Sequence, residues 1–142
     1  MKQTIFDLDY LTCTLDDEAA VLFHSWKRKA TAEEFEAGLL KVYKVYLEQK
    51  PKFKKLHWLG DTRNVGVLSL KTQKWLDEVW NETLFVKAGV TSHAVLVGED
   101  VFVKYAMQKF AAHAEKLYSD QHLKMGVFAT EKEAYDWFAD HN

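Results

Sequence analysis

The spacing of apolar residues changes its rhythm near residue 30, and this change constrains the fold more than any other feature of the chain. Before that point, apolar and β-branched residues come in short stretches that are typical of strands, at residues 2–10, 12–15 and 20–26. The acidic residues 16–18, between the last two stretches, indicate a turn. We therefore expect roughly the first thirty residues to form an antiparallel meander of strands.

From residue 31 onward, helical and strand patterns alternate along the chain. Apolar residues at helical spacing predict helices at residues 31–49, 69–85, 100–117 and from Thr130 onward. Short apolar runs between these helices predict buried strands at residues 56–59, 94–97 and 125–128. Strands joined through helices imply crossover connections and parallel pairing, with the helices packed against the sheet.

Together these patterns predict a single α/β domain over residues 1–142, with the element order β-β-β-α-β-α-β-α-β-α. Its one mixed sheet would contain about five to seven strands, with an N-terminal antiparallel meander and a parallel βαβ half. Capping boxes support the starts of the first and last helices, where Thr31 pairs with Glu34 and Thr130 pairs with Glu133.

Composition excludes several classes of protein. Hydrophobic residues make up 48% and aromatic residues 14% of the chain, which is incompatible with intrinsic disorder. The 19 basic residues do not exceed the 21 acidic ones, which argues against a dedicated nucleic-acid binder. The longest unbroken apolar run, residues 19–23, is far short of the roughly 20 residues of a transmembrane helix. With no apolar signal segment at the start and a single cysteine, Cys13, the sequence favours a cytoplasmic protein.

The sequence lacks the short motifs of common α/β enzymes. Gly-x-Gly-x-x-Gly, the Walker-type phosphate loop, Gly-x-Ser-x-Gly and His-Glu-x-x-His are all absent. The 6 histidines show no metal-ligand spacing, so we expect no metal site and no cofactor. Cys13 is interpreted as a small buried residue of a strand, because no activating group is evident beside it.

Residues 59–66 are the most suggestive segment for binding, because they follow a predicted parallel strand. Ligands of open α/β sheets tend to bind at the carboxyl ends of such strands. Asp61 and Arg63 would share a face of an extended chain, and Ser69 follows at the expected start of the next helix, where an anion is favoured. These three residues are candidate binding or phosphoacceptor residues. In the alternative interpretation, Asp61 and Arg63 hold the loop and Ser69 caps the helix.

The tryptophans and two basic clusters leave further roles open. Most tryptophans are expected in the core, but 5 of them exceed what one small core readily hides. Some could line a pocket for an apolar ligand or form a seam between two copies of the chain. The basic residues at 27–29 and 50–55 are interpreted either as a patch for an anionic partner or as solvated loops.

The element order and a set of spaced residues resemble the STAS/SEC14-type family, also called SpoIIAA-like, which includes many small bacterial proteins. The likeness covers nearly the whole chain and is carried by Trp26, residues 31–35, residues 61–63, Trp75 with Leu76, and residues 127–138. The resemblance implies a mixed sheet with helices and a regulatory or binding role without catalysis. The related SEC14 group implies lipid binding.

The same resemblance bears on Ser69. In the anti-sigma-factor antagonists of this family, a serine at the start of the second helix is phosphorylated, and the matching residue here is Ser69. The Asp-Ser-Ser-Gly motif of those antagonists is replaced in this chain by Val-Gly-Val-Leu-Ser-Leu at residues 65–70.

Three functions follow as hypotheses. The leading one is a small cytoplasmic binding or interaction module without catalysis of its own, whose partner is a protein, a small apolar ligand or a second copy of the chain. The second is capture of an apolar ligand or lipid by the aromatic residues. The third is an enzyme that uses Asp61, Arg63 and a strand histidine such as His57 or His93, which requires these side chains to converge in one pocket.

Overall fold

The strands form one 6-stranded sheet, and their order across the sheet follows their order along the chain. A computed structural model describes residues 2–142. The strands are β1 (Lys2–Asp7), β2 (Leu11–Asp16), β3 (Val21–Trp26), β4 (His57–Asp61), β5 (Ser92–Leu96) and β6 (Lys124–Phe128). β1, β2 and β3 pair in antiparallel fashion, whereas β3, β4, β5 and β6 are parallel. The predicted α/β fold, with antiparallel N-terminal strands and a parallel half, is confirmed.

The main helices follow the last four strands. They are α1 (Ala32–Gln49), α2 (Leu70–Trp75), α3 (Val101–Leu117) and α4 (Glu131–Ala139). At α1 the predicted capping box is confirmed: the Thr31 hydroxyl accepts from the Glu34 N–H, and the Glu34 carboxylate accepts from the Thr31 N–H. At α4 the Thr130 hydroxyl accepts from the Glu133 N–H, but the Glu133 carboxylate accepts from that hydroxyl, so only half of the second box forms.

The two faces of the sheet carry separate apolar clusters. Each parallel strand lies beside the one before it, so right-handed crossovers place α1, α2 and α3 on one face. Beneath these helices the core includes Trp26, Trp58 and Val95. On the other face, Phe138 of α4 packs with Leu59. The central strands are therefore covered on both sides, which explains their continuous apolar runs.

The second helical segment widens after Trp75. α2 continues into two π-helical turns, Leu76–Trp80 and Thr83–Lys87. There the N–H groups of Asn81 and Ala88 donate to carbonyls one residue further back than in an α-helix. The apolar spacing predicted a helical segment here but not its widening, because a single wide turn changes the period only locally. No helix within residues 2–142 is both long and apolar enough to cross a membrane.

Cys13 lies on β2 and is completely enclosed by the core. Burial raises the pKa of its thiol to about 12. Such a thiol is almost entirely protonated at neutral pH and is a poor nucleophile. The structure therefore places Cys13 as the sequence suggested, among the small buried residues of a strand.

Candidate functional site

Asp61 and Arg63 form a closed ion pair at the carboxyl end of β4. Oδ1 of Asp61 accepts from the backbone N–H and Nε of Arg63, at 3.1 and 2.9 Å. Oδ2 accepts from Nη2 of Arg63 at 2.7 Å and from the Ser25 hydroxyl at 3.2 Å. A carboxylate offers about four acceptor positions, and these bonds occupy them. Asp61 thus holds the loop after β4 to the neighbouring strand β3.

The pKa of Asp61 is lowered from its ordinary value although the residue is buried. Burial alone would raise this pKa, but the hydrogen bonds and the charge of Arg63 outweigh burial, and the Ser25 hydrogen bond adds to them. The carboxylate is therefore ionised and fully engaged at neutral pH. A ligand would have to compete with Arg63 for it.

Ser69 precedes the first turn of α2 and caps it. Its hydroxyl accepts from the Thr72 N–H at 3.1 Å and donates to Oγ1 of Thr72 at 3.0 Å. Among the described residues, hydrogen bonds do not join Ser69 with Asp61 and Arg63 into one cluster. Ligand binding or phosphorylation at these three residues stays a prediction.

The two histidines of the enzyme hypothesis lie on opposite faces of the sheet. His57, at the start of β4, stacks on Phe138 of α4 with ring centroids 4.6 Å apart, and its Nδ1 hydrogen bonds to Ser92. His93 faces the other side, beneath α1, α2 and α3. Asp61 shares a face with His57 but lies at the far end of β4. The structure thus does not bring these side chains into one pocket.

A cavity of about 420 Å³ lies between the sheet and the helices on the α1–α3 face. In its floor, Trp58 and Gly60 of β4 lie between His24 of β3 and His93 of β5. Its walls are mainly apolar side chains of the covering helical segments, including Phe35, Leu39, Leu76, Trp80, Met107 and Phe110, and the polar Gln73, Asp77 and Asn81 also line it. The π-helical turn after α2 contributes Leu76 and Trp80 to these walls. The volume falls within the range of roughly 300–1,000 Å³ that is typical of small-molecule sites.

His24 and His93 are the imidazoles of this cavity floor. The Trp58 ring centroid lies 5.4 Å from that of His24 and 6.4 Å from that of His93, with both contacts edge-on. His24 is only 4% exposed, and Nδ1 of each ring is enclosed. Within residues 2–142, no group hydrogen bonds to either Nδ1. An enclosed polar atom without a partner costs about 1–3 kcal/mol, so its presence in a core requires an explanation.

Both imidazoles are neutral at neutral pH. Desolvation lowers the pKa of His24 to about 4, against a smaller opposing effect of the Asp61 charge. Desolvation also lowers the pKa of His93 to about 3, and the nearby His24 contributes to this shift. A neutral imidazole has one N–H donor and one acceptor nitrogen. The imidazoles therefore carry no charge, and because Nδ1 of each is enclosed, the tautomer decides whether Nε2 donates or accepts.

Because Gly60 has no side chain, the His24 ring can lie directly over β4. The two residues pair across the β3–β4 register. A Cβ at position 60 would lie 2.9 Å from Cε1 and 3.1 Å from Nε2 of His24. Any larger residue at position 60 would have to displace the imidazole, so the absent side chain is part of the site.

The cavity is open at its outer end, where an apolar side chain is exposed. Val67, in the loop before α2, lines the cavity and is 74% exposed. Among the described residues that line the cavity, Asp77 is the only one with a charged side chain, and it is exposed. Exposed apolar groups of this kind commonly surround sites for apolar molecules.

Neither His24 nor Gly60 is among the site residues predicted from the sequence. One signal could have found His24: it alternates with Leu22 and Trp26, so it occupies a core-facing position of a strand. A polar residue at such a position is either bonded within the protein or available to a ligand.

The fold and the cavity define an α/β protein with a candidate small-molecule site under the helices of its mixed sheet. Comparison with protein-family models, curated proteins and solved structures finds no match for this chain. Within residues 2–142, no three His, Cys, Asp or Glu side chains are grouped so that they could hold a metal ion.

Proposed function

We propose that this protein binds a small, flat, apolar ligand in the cavity between β3, β4, β5 and the covering helices. One observation carries the proposal: an aromatic cavity of about 420 Å³ is lined by two histidines, and Nδ1 of each is enclosed without a hydrogen-bond partner within residues 2–142. Core packing alone does not account for these histidines, since buried polar atoms are rarely left unpaired.

The aromatic lining favours a flat ligand. Phe35, Phe110, Trp58 and Trp80 line the cavity, and the two tryptophans contact each other with ring centroids 5.9 Å apart. Aromatic rings prefer offset-stacked or edge-to-face contacts with other rings, and such contacts are worth about 0.5–1.5 kcal/mol each beyond the area they bury. A ring system packed against these side chains would gain such contacts.

The binding role proposed here is that of a module without catalysis of its own. The resemblance to the STAS/SEC14-type family supports it, because that resemblance implies binding rather than reaction. Membership of that family, a bacterial origin, a cytoplasmic location and a protein partner or second copy of the chain remain part of the proposal.

The experiment is a fluorescence titration with N-phenyl-1-naphthylamine, a neutral apolar probe, against the wild type and two variants of α3. Met107→Trp puts a larger side chain into the cavity wall, whereas Leu117→Trp adds the same side chain at an exposed position of the same helix. We expect Met107→Trp to weaken binding at least 10-fold, roughly the loss of 1.4 kcal/mol of binding free energy. Leu117→Trp should bind as the wild type does. Equal binding by all three proteins would contradict the proposal.

A further inference from the structure

We propose that the ligand is a neutral hydroxylated aromatic compound, of the phenol or naphthol class, whose hydroxyl hydrogen bonds to the imidazole of His24 or His93. This inference rests on the proposed function and specifies the chemistry of the ligand. It is drawn from three features of the cavity: its polar floor, its lack of cations and its aromatic walls.

The polar floor requires a hydrogen-bonding group on the ligand. His24 and His93 line the cavity from neighbouring positions on either side of β4, and Nδ1 of each is unpartnered within residues 2–142. A hydroxyl can donate to an imidazole lone pair or accept from an imidazole N–H, so it suits either tautomer of each ring. A purely apolar ligand would leave both imidazoles unsatisfied.

Because no Lys or Arg is among the described residues that line the cavity, an anionic ligand would not be stabilised there. The one charged side chain among these residues is the carboxylate of Asp77 at the open end. A carboxylate or phosphate placed at the floor would lose its hydration without gaining a counter-charge. Asp77 would also repel it on entry.

The hydroxyl of the ligand would lie at the cavity floor, and its aromatic rings would lie against the cavity walls. Trp58 stands between the two histidines in the floor, and Trp80 and Phe110 lie farther out on the helices. A fused two-ring compound with a hydroxyl at one end matches this distribution of one polar end and aromatic sides.

The test compares three ligands of nearly equal shape by displacement of N-phenyl-1-naphthylamine at pH 7. They are 2-naphthol, 2-methylnaphthalene and 2-naphthoate. An apolar cavity without hydrogen-bonding groups would prefer the methyl compound, because the hydroxyl loses its water. We expect the wild type to bind 2-naphthol at least 5-fold more tightly than either of the others, about the effect of one net hydrogen bond.

Variants test whether His24 or His93 causes the preference for 2-naphthol. His24→Leu and His93→Leu each remove an imidazole, and His113→Leu removes an exposed histidine of α3 as the control. We expect at least one of the cavity variants to lose the preference for 2-naphthol while it still binds 2-methylnaphthalene, and the control to keep the preference.

The outcomes separate the two proposals. Tighter binding of 2-methylnaphthalene or of 2-naphthoate by the wild type would overturn this inference and leave the proposed function standing. A preference for 2-naphthol that persists in both cavity variants would also overturn it. Failure of the wild type to bind the probe and all three compounds would overturn the proposed function itself. Because the ranking in the wild type needs no variant, a misfolded variant does not remove the test.

Discussion

At the scale of residues, His24 and His93 distinguish this core from an ordinary one. Histidines inside a core usually have hydrogen-bond partners, as His57 has in Ser92 and Asn142 on the other face of the same sheet. Nδ1 of His24 and of His93 has none within residues 2–142. This contrast within one sheet is the basis of the proposal that the pair serves a bound molecule.

The lowered pKa values of these histidines predict how stability depends on pH. The pKa values of His24 and His93 in the folded chain are about 4 and about 3, below the ordinary value of 6.5. Between pH 6.5 and about 4, the unfolded chain binds protons at these residues and the folded chain does not. Stability is therefore fully present above pH 6.5 and falls with decreasing pH, by on the order of 1.4 kcal/mol per pH unit for each histidine.

Urea unfolding at pH 7.0, 6.0 and 5.0 measures this slope. The double variant His24→Leu/His93→Leu should lose most of this dependence of the unfolding free energy on pH. The remainder would come from other groups such as His57, because burial lowers its pKa as well. His113→Leu, at an exposed position, should keep the wild-type slope. A double variant with an undiminished slope would show that the two imidazoles titrate normally.

At the scale of elements, the start of α2 shows what Ser69 contributes. Its hydroxyl is the cap that satisfies the Thr72 N–H. We expect Ser69→Ala to lower the free energy of unfolding by about 1 kcal/mol and Ser69→Asp to retain most of it, because aspartate also caps helices. Urea unfolding at pH 7 measures both changes.

Ser119→Ala is the matched control, since Ser119 is exposed and begins a short 3-10 turn without a side-chain cap. Its free energy of unfolding should stay close to that of the wild type. If Ser69→Ala and Ser119→Ala are equally stable, the cap at α2 contributes nothing measurable, and a role of Ser69 outside folding gains weight.

Elements could be predicted from the sequence where one period extends over many residues. The apolar stripe of α1 and the run that contains β5 were sufficient to identify both. The π-helical turns Leu76–Trp80 and Thr83–Lys87 could not be predicted, because each changes the period for a single turn. The first of these turns nevertheless supplies part of the cavity wall, through Leu76 and Trp80.

At the scale of the whole molecule, the candidate site depends on the order of strands. His24 and His93 are far apart in the chain and line one cavity only because β3 and β5 lie on either side of β4. Periodicity predicts strands and their alternating faces, but it does not show which strands are neighbours. For the same reason, the sequence could suggest that Asp61 and Arg63 hold the loop after β4, but not that Asp61 also accepts from Ser25 of β3.

A ¹H–¹⁵N NMR titration with N-phenyl-1-naphthylamine tests most directly whether the cavity under α1–α3 is a ligand site. It follows the indole N–H signals of the tryptophans. Trp58 and Trp80 line the cavity, whereas Trp137 lies on the α4 face with Phe138. We expect the Trp58 and Trp80 signals to shift in a saturable manner while the Trp137 signal stays in place. Shifts at Trp137 with unchanged Trp58 and Trp80 signals would contradict the proposal.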